Sequence, residues 1–329
     1  MLSFKDFFSE QNTILEQTMS HEVVGAVGDR LENIKNAAIG RKSKAKIVTD
    51  YAGGVPMTFG LDPKTGQPFV SDGKHTHYDV ASIQKKHKDS PEAKAYTDVL
   101  NNMTKVLPRE GGVYTGQYMK FARGKGGKLT NGSAVIDPKS SEGLKAKGAQ
   151  FSLVVNSKGN KLADVSKFTD HPDVHLIDPV HKADPSAFTP QHQQAYNHQM
   201  MSAKKSYSSL KPDSFDQMYP GHHEEVGKFL SAYKGDKPPK LTDYMTHLTQ
   251  THTQAAEEKL GPKQKDRITR RLNDLQSTAT PEVHKMLAMS YHLNNAHNVL
   301  KDAITKQPKS IVDPNATISV VHNGQKTPL

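Results

Sequence analysis

The chain has 329 residues, with 44 Lys+Arg against 34 Asp+Glu for a formal charge of +10, 34% hydrophobic residues, and neither cysteine nor tryptophan. That length suffices for one large domain or two medium ones, no apolar run reaches the roughly 20 residues of a membrane span, and the lack of cysteine removes disulfides and every thiolate metal site. The first residues, Met1-Leu2-Ser3-Phe4-Lys5-Asp6-Phe7-Phe8, lack the basic and apolar regions of a secretory signal, so the expectation is a soluble protein made in a cytoplasm.

Residues 1–40 read as helical, because Phe4, Phe7 and Phe8, then Val23, Val24, Val27, Leu31 and Ile34, recur at steps of three and four. A β-rich stretch follows. Ile47-Val48-Thr49 is a short strand, and Gly53-Gly54-Val55-Pro56 a turn or bulge. Met57-Thr58-Phe59-Gly60 and Pro68-Phe69-Val70 flank Asp62-Pro63-Lys64-Thr65-Gly66-Gln67, a turn signal that makes 57–71 a hairpin. Residues 79–107 are helical, with Tyr96, Val99, Leu100, Met103 and Leu107 on a core face. Strand-like runs then cover 112–121, 133–136 and 150–155, joined by glycine-rich links.

The composition changes near residue 165. From 185 to 306 the pattern is helical and rich in Gln, His, Lys and Met. Its clearest helix runs from Pro281, behind Thr280 as a cap, to about Lys306 before Pro308. Val283, Met286, Leu287, Ser290, Leu293, His297, Leu300 and Ile304 mark one face. A strand at 317–322 leads into an Asn323-Gly324 turn. A single strand is not stable alone, so it is expected to pair back with the first half of the chain. The predicted organisation is an N-terminal helical segment (1–40), an α+β core (41–184), a helical insertion (185–308) and a returning C-terminal strand (309–329).

Seventeen histidines invite a metal reading. His222-His223-Glu224-Glu225 and the pairs His247/His252 and His292/His297 fail the i, i+4 spacing that puts two ligands on one helical face. His171 and His175 have the spacing, but Pro172 argues against a helix. These histidines, and the carboxylates of Glu224/Glu225 and Glu257/Glu258, are therefore expected to be solvated or locally hydrogen-bonded. Arg123-Gly124-Lys125-Gly126-Gly127-Lys128 is a flexible loop with three positive charges, a surface loop or a phosphate contact. No basic stripe with interleaved aromatics points to nucleic acid. No lipase-type or kinase-type catalytic set occurs.

The run from Thr49 to Val70 resembles a group of tailed-phage proteins of the polynucleotide-ligase type, in which a Lys-x-Asp/Glu-Gly motif precedes a Phe-Gly strand, an Asp-Pro-x-x-Gly hairpin and a Phe-Val strand. Gly111-Gly112-Val113-Tyr114-Thr115-Gly116-Gln117 is similar to the family's Val-Tyr-x-Gly-Asp strand. Looser matches cover 140–154 and 321–329. The resemblance implies a nucleotidyltransferase or ATP-grasp-like antiparallel β core. It also implies a nucleotide pocket at Asp50, Ala52, Gly53, Gly54, Tyr114, Gly116 and Gln117, with phosphate contacts from Arg123, Lys125 and Lys128.

The departures from the family fall on its chemical residues. The lysine that would attack the α-phosphate is matched by Asp50, a carboxylate that cannot form a phosphoramidate. The acidic partner is Ala52, the strand acid is Gln117, and a lysine expected after the Phe-Val strand is Asp72. A register shifted by one would place Tyr51 and Gly53 there instead. The sequence reaches Leu329 before the family's Glu-Gly motif would come. Glycines and apolar strand residues persist where reactive groups do not, as expected of a fold kept for its shape. The leading expectation is a catalytically inactive structural or binding component, made in the host cytoplasm and carried on the virion, with other virion proteins or nucleic acid as partners and no resident cofactor or metal. The alternatives are a vestigial pocket that still binds nucleotide or nucleic acid, and an active enzyme using a relocated Lys46 or Lys74.

Overall fold

A computed structural model describes residues 21–88, 90–210, 220–257, 260–307 and 309–329. Phe4, Phe7 and Phe8 of the expected first helix lie outside the described residues. In chain order the described elements begin with α1 (His21–Ala38). The β-rich stretch holds β1 (Ala45–Asp50), β2 (Val55–Leu61), β3 (Pro68–Ser71), β4 (Thr76–His77), α2 (Val80–His87), α3 (Pro91–Val106) and β5 (Val113–Met119). It continues with β6 (Ala122–Arg123), β7 (Leu129–Asn131), β8 (Ala134–Ile136), α4 (Ser141–Gly148), β9 (Phe151–Lys158), β10 (Lys161–Leu162) and β11 (Val174–Ile177). A helical run follows: α5 (Pro190–Ser208), α6 (Pro220–Ala232), α7 (Leu241–Glu257), α8 (Pro262–Ser277) and α9 (Pro281–Thr305). The last elements are β12 (Ile311–Val312), β13 (Thr317–His322) and β14 (Gln325–Pro328).

The chain divides into two compact units, Met1–Ala45 with Ala183–Gln307, and Lys46–Lys182 with Pro308–Leu329. The segments that the sequence treats as separate helical regions are thus gathered into one unit, in which α9 packs on both α1 and α5. The face of α9 is the one its periodicity marks: Val283, Met286, Leu287, Leu293, Leu300 and Ile304 are all buried. Thr280 is the N-cap residue with Pro281 behind it, but its side chain makes no capping hydrogen bond.

The β-rich unit is a mixed α+β assembly of largely antiparallel sheets. Its main sheet runs β10-β9-β5-β2-β3-β4, with β11 added parallel to β9. Two smaller sheets are ordered β12-β8-β7-β6 and β1-β13-β14. The strand at 317–322 therefore does pair back, next to β1. It also turns through Asn323 (φ 51°) and Gly324 (φ 79°) into β14, which the sequence does not announce. The β2–β3 hairpin pairs Thr58 with Ser71 and Leu61 with Pro68. Asp62 closes it by accepting the N–H groups of Lys64 (2.7 Å) and Thr65 (3.1 Å), the local bonding that makes Asp a turn former.

Strand alternation gives the main sheet two apolar faces. Met57, Phe59, Tyr114, Tyr118, Phe151 and Leu153 pack against Tyr96, Val99, Leu100 and Met103 of α3. On the other face Met119, Val154 and Ile177 meet Leu129, Ile136, Ala146 and Ile311. The helical stretch at 79–107 breaks into α2 and α3 because Ser90 caps a new start, accepting from the Ala93 N–H, with Pro91 at the first position.

Buried imidazoles make this fold acid-sensitive. His175 on β11 is 2% exposed beside Ser152, with Nδ1 and Oγ 3.1 Å apart. Burial, aided by Lys145 and opposed by Glu142, pushes its ring from 6.5 down to about 4. Below about pH 6.5 the unfolded chain binds a proton that the folded chain refuses. Stability is therefore lost as pH falls toward 4, by up to about 3 kcal/mol for this ring. Urea midpoints taken between pH 7 and 4.5 are expected to fall for the natural chain, and to fall less steeply for His175→Gln.

Candidate functional site

Asp50 ends β1 and is held from the C-terminal hairpin. The Ser319 hydroxyl donates to Oδ2 at 2.7 Å, and Lys326 Nζ forms an ion pair with Oδ1. The exposed loop that follows is fixed by a second carboxylate. Asp313 accepts the Ala52 N–H at 3.1 Å through Oδ2, and the Ser133 hydroxyl (3.1 Å) and Asn315 N–H (3.0 Å) through Oδ1. Burial, with the nearby charges of Asp313, Glu142 and Asp178, pushes the Tyr51 phenol up to about 12 and keeps it protonated. Gly53 lies beside Asn131. Gly54 takes φ +100°, and a Cβ there would stand 2.6 Å from the Tyr118 carbonyl oxygen, so the position excludes a side chain.

The β5 residues face other surroundings. Tyr114 is 2% exposed and stands in the first core. Its ring lies 5.9 Å from Phe59 and 4.9 Å, edge-on, from Phe168, and its hydroxyl donates to the Gly111 carbonyl at 3.1 Å. Gly116 sits at a β-bulge where β5 presses on β9: a Cβ would stand 2.2 Å from the Val154 carbonyl oxygen. Gln117 is half-buried, opposite Pro56 and Val154. The structure therefore brings Asp50, Ala52, Gly53 and Gly54 together with the C-terminal hairpin and the Asp313 turn. Tyr114, four residues beyond Tyr118 along β5 and so roughly 13 Å away, does not join them.

The 123–128 loop links β6 to β7, with Arg123 opposite Leu129. Its amides turn inward: the Gly124 N–H donates to the Lys128 carbonyl at 2.7 Å, and the Gly127 N–H to the Gly124 carbonyl at 3.3 Å. Those two donors are not free for an anion. Arg123 and Lys128 are exposed, and the Lys125 side chain lies outside the described residues. Lys46 is exposed on β1, and Lys74 lies in the β3–β4 turn, where its backbone N–H donates to Asp72 Oδ1.

Of the two expected states, solvated or locally hydrogen-bonded, His222 and Glu225 of the helical unit take the second, and do so in full burial. His222 is wholly buried, with Nδ1 3.0 Å from the Tyr244 hydroxyl and Nε2 3.0 Å from Thr278 Oγ1. Glu225 is 2% exposed, and its Oε1 accepts from Arg271 (3.0 Å) and Lys228 (3.3 Å), with His252 Nε2 3.9 Å away. His247 packs on Phe229, ring centroids 5.2 Å apart. His292 Nδ1 lies 2.7 Å from Gln199 Oε1. The side chains of His223, Glu224, Glu257 and Glu258 lie outside the described residues. His171 and His175 are in extended chain, as Pro172 requires.

One constellation was missed in the sequence. Asp72, His77 and His87 bring one ligand atom each within 4.8 Å of one another. His77 and His87 have Nε2 atoms 3.3 Å apart, and His87 Nε2 is 3.5 Å from Asp72 Oδ2. The backbone N–H groups of Lys74 (2.7 Å) and His75 (2.6 Å) donate to Asp72 Oδ1, and His75 Nδ1 stands 3.2 Å from Oδ2. Burial works against the Asp72 charge, but these donors outweigh it and hold the carboxyl well below the usual range. The available signal was His75-Thr76-His77, two rings on one face of an extended strand next to Asp72. Compared with protein-family models, curated proteins and solved structures, the chain matches none.

Proposed function

We propose that the chain is a catalytically inactive member of the ligase-like group, serving as a structural or binding component of a tailed-phage particle. The observation that carries this reading is the state of Asp50. At the position matched to the nucleophilic lysine stands a carboxylate, tied to Ser319 and Lys326. A carboxylate offers no amine for attack on phosphorus, and its charge opposes a triphosphate. The amine of Lys326 beside it is engaged in the ion pair. Tyr114, expected to line the nucleotide pocket, is instead packed between Phe59 and Phe168. The glycines common to the resemblance have a packing role, Gly54 against Tyr118 and Gly116 against Val154.

Incubation of the purified chain with α-labelled ATP or GTP and magnesium or manganese is expected to leave no label on the protein. A covalent label would overturn the reading, and mapping it would identify the lysine in use. Asp50→Lys with Ala52→Asp, treated alongside, reports whether the surroundings still accept a nucleotide. For the particle role, mass spectrometry of purified virions is expected to find the chain, and its absence would remove that role.

A further inference from the structure

We propose that Asp72, His77 and His87 form a binding site for one zinc ion, with a fourth position open to solvent, that pins the β3–β4 hairpin to the end of α2. The site is separate from the 50–54 loop and stands whether or not the reading of that loop holds.

The spacing of the ligand atoms is the first argument. Zinc binds imidazole nitrogen at about 2.0–2.1 Å in a tetrahedral site, which sets ligand-to-ligand edges of about 3.3–3.4 Å. Two of the three edges have that length, 3.3 Å between the two Nε2 atoms and 3.5 Å from His87 Nε2 to Asp72 Oδ2; the third, from His77 to Asp72, lies within 4.8 Å and has to shorten as the carboxylate closes on the ion. An octahedral ion at about 2.1 Å would draw adjacent ligands to about 3.0 Å.

The tautomers are the second. Ser82 spends its hydroxyl proton on the Asp79 carbonyl at 2.8 Å. Its oxygen therefore accepts from His77 Nδ1–H, 3.3 Å away. A neutral His77 with its proton on Nδ1 leaves the Nε2 lone pair bare and directed at His87. This outer bonding, which fixes a ring and its tautomer, is what metal-binding histidines ordinarily have. With no ion bound, an Nε2–H on His87 can bridge to His77, and an ion takes the place of that hydrogen.

The surroundings are the third. His77 is 3% exposed, while the side chains of His87 and Asp72 keep 17% and 16%. The ion would thus have a covered side and an accessible one. Tyr96 of α3 closes the covered side, its ring centroid 5.0 Å from His87 and 6.3 Å from His77. Asp72 arrives ionised and aimed, held by Lys74, His75 and the His75 ring. His75 is thus a positioning residue rather than a ligand. Two imidazoles and one carboxylate suit zinc better than the oxygen-seeking calcium or magnesium.

The test uses the full chain, stripped with a chelator and titrated with Co2+. One equivalent is expected to give visible bands with the intensity of four-coordinate cobalt, erased by one equivalent of Zn2+. His87→Ala and Asp72→Asn should abolish the bands while keeping the far-UV spectrum of the metal-free chain. His75→Gln should keep them with affinity lowered about 10–100-fold. Because 17 histidines are present, the natural chain is also examined with 15N-labelled histidine. Zinc is expected to shift the Nε2 signals of His77 and His87, a result that needs no variant to fold. The proposal falls if no cobalt bands form, if they persist in Asp72→Asn, or if zinc shifts a different set of histidines.

Discussion

Gly116→Val is expected to leave the β-rich unit unable to fold. Gly116 lies in β5 at the bulge where that strand meets β9, and a Cβ there would stand 2.2 Å from the Val154 carbonyl oxygen and 3.0 Å from the Phe59 ring. The obstacle is backbone, so a rotamer change cannot relieve it. The strands must part, and parting them opens Phe59, Tyr114 and Leu153 to water. Overpacking alone costs about 1–3 kcal/mol. With the lost ladder bonds the total passes about 4 kcal/mol, a large share of the stability of a domain this size. Urea unfolding of the variant is expected to show no cooperative transition for this unit. A variant within about 1 kcal/mol of the natural chain would mean that the two strands tolerate separation.

Arg271→Leu is expected to destabilise the helical unit by about 1–3 kcal/mol. Glu225 keeps only 3% of its side chain exposed, and Arg271 supplies its 3.0 Å contact. Arg271 keeps 39% of its own side chain exposed, but the carboxylate it serves is buried, so removing Arg271 takes a charged donor from a group that water does not reach. Lys228 at 3.3 Å remains and should hold the loss near the lower bound. Glu225→Leu with Arg271→Leu removes both charges, so the double variant should recover much of the loss. Unfolding followed by far-UV circular dichroism on the four chains of that cycle measures the coupling. Equal losses for the single and double variants would show that Arg271 acts through its packing and not its charge.

Local features of the fold were legible because local chemistry fixes them. Asp62 and Gly66 wrote the β2–β3 turn in a few residues, and the apolar repeat from Val283 to Ile304 wrote the buried face of α9. Gly54 and Gly116 stood out as glycines, although their reason is a carbonyl oxygen across the sheet and not a ligand. What stayed hidden depends on partners far away in sequence. His222, Glu225 and Arg271 are polar residues on helices, and each side chain alone reads as solvated. The burial of His222 and Glu225 depends on distant partners, such as Arg271, 46 residues from Glu225. The ion pair of Asp50 with Lys326 joins positions 276 residues apart, so nothing near Asp50 forecasts it. The histidine cluster spans only 72–87, but it needs the β3–β4 turn and α2 to be set together before its rings converge.

The pairing of β1 with β13 also dictates when the β-rich unit can be finished. Ser319 and Asp50 are 269 residues apart. At a synthesis rate of about 5–20 residues per second, β1 waits roughly 13–54 s for its neighbour to be made. The edge that β13 will occupy on β1 stays open over that interval. A helix can form in about a microsecond, so α5 to α9 can take shape while β1 still lacks its partner. An edge strand left unpaired is an invitation to other chains. The time from the synthesis of residue 50 to that of residue 319 is therefore the interval in which the open edge of β1 exposes this protein to aggregation, and slowing elongation between Ala183 and Gln307 should lower the yield of folded chain.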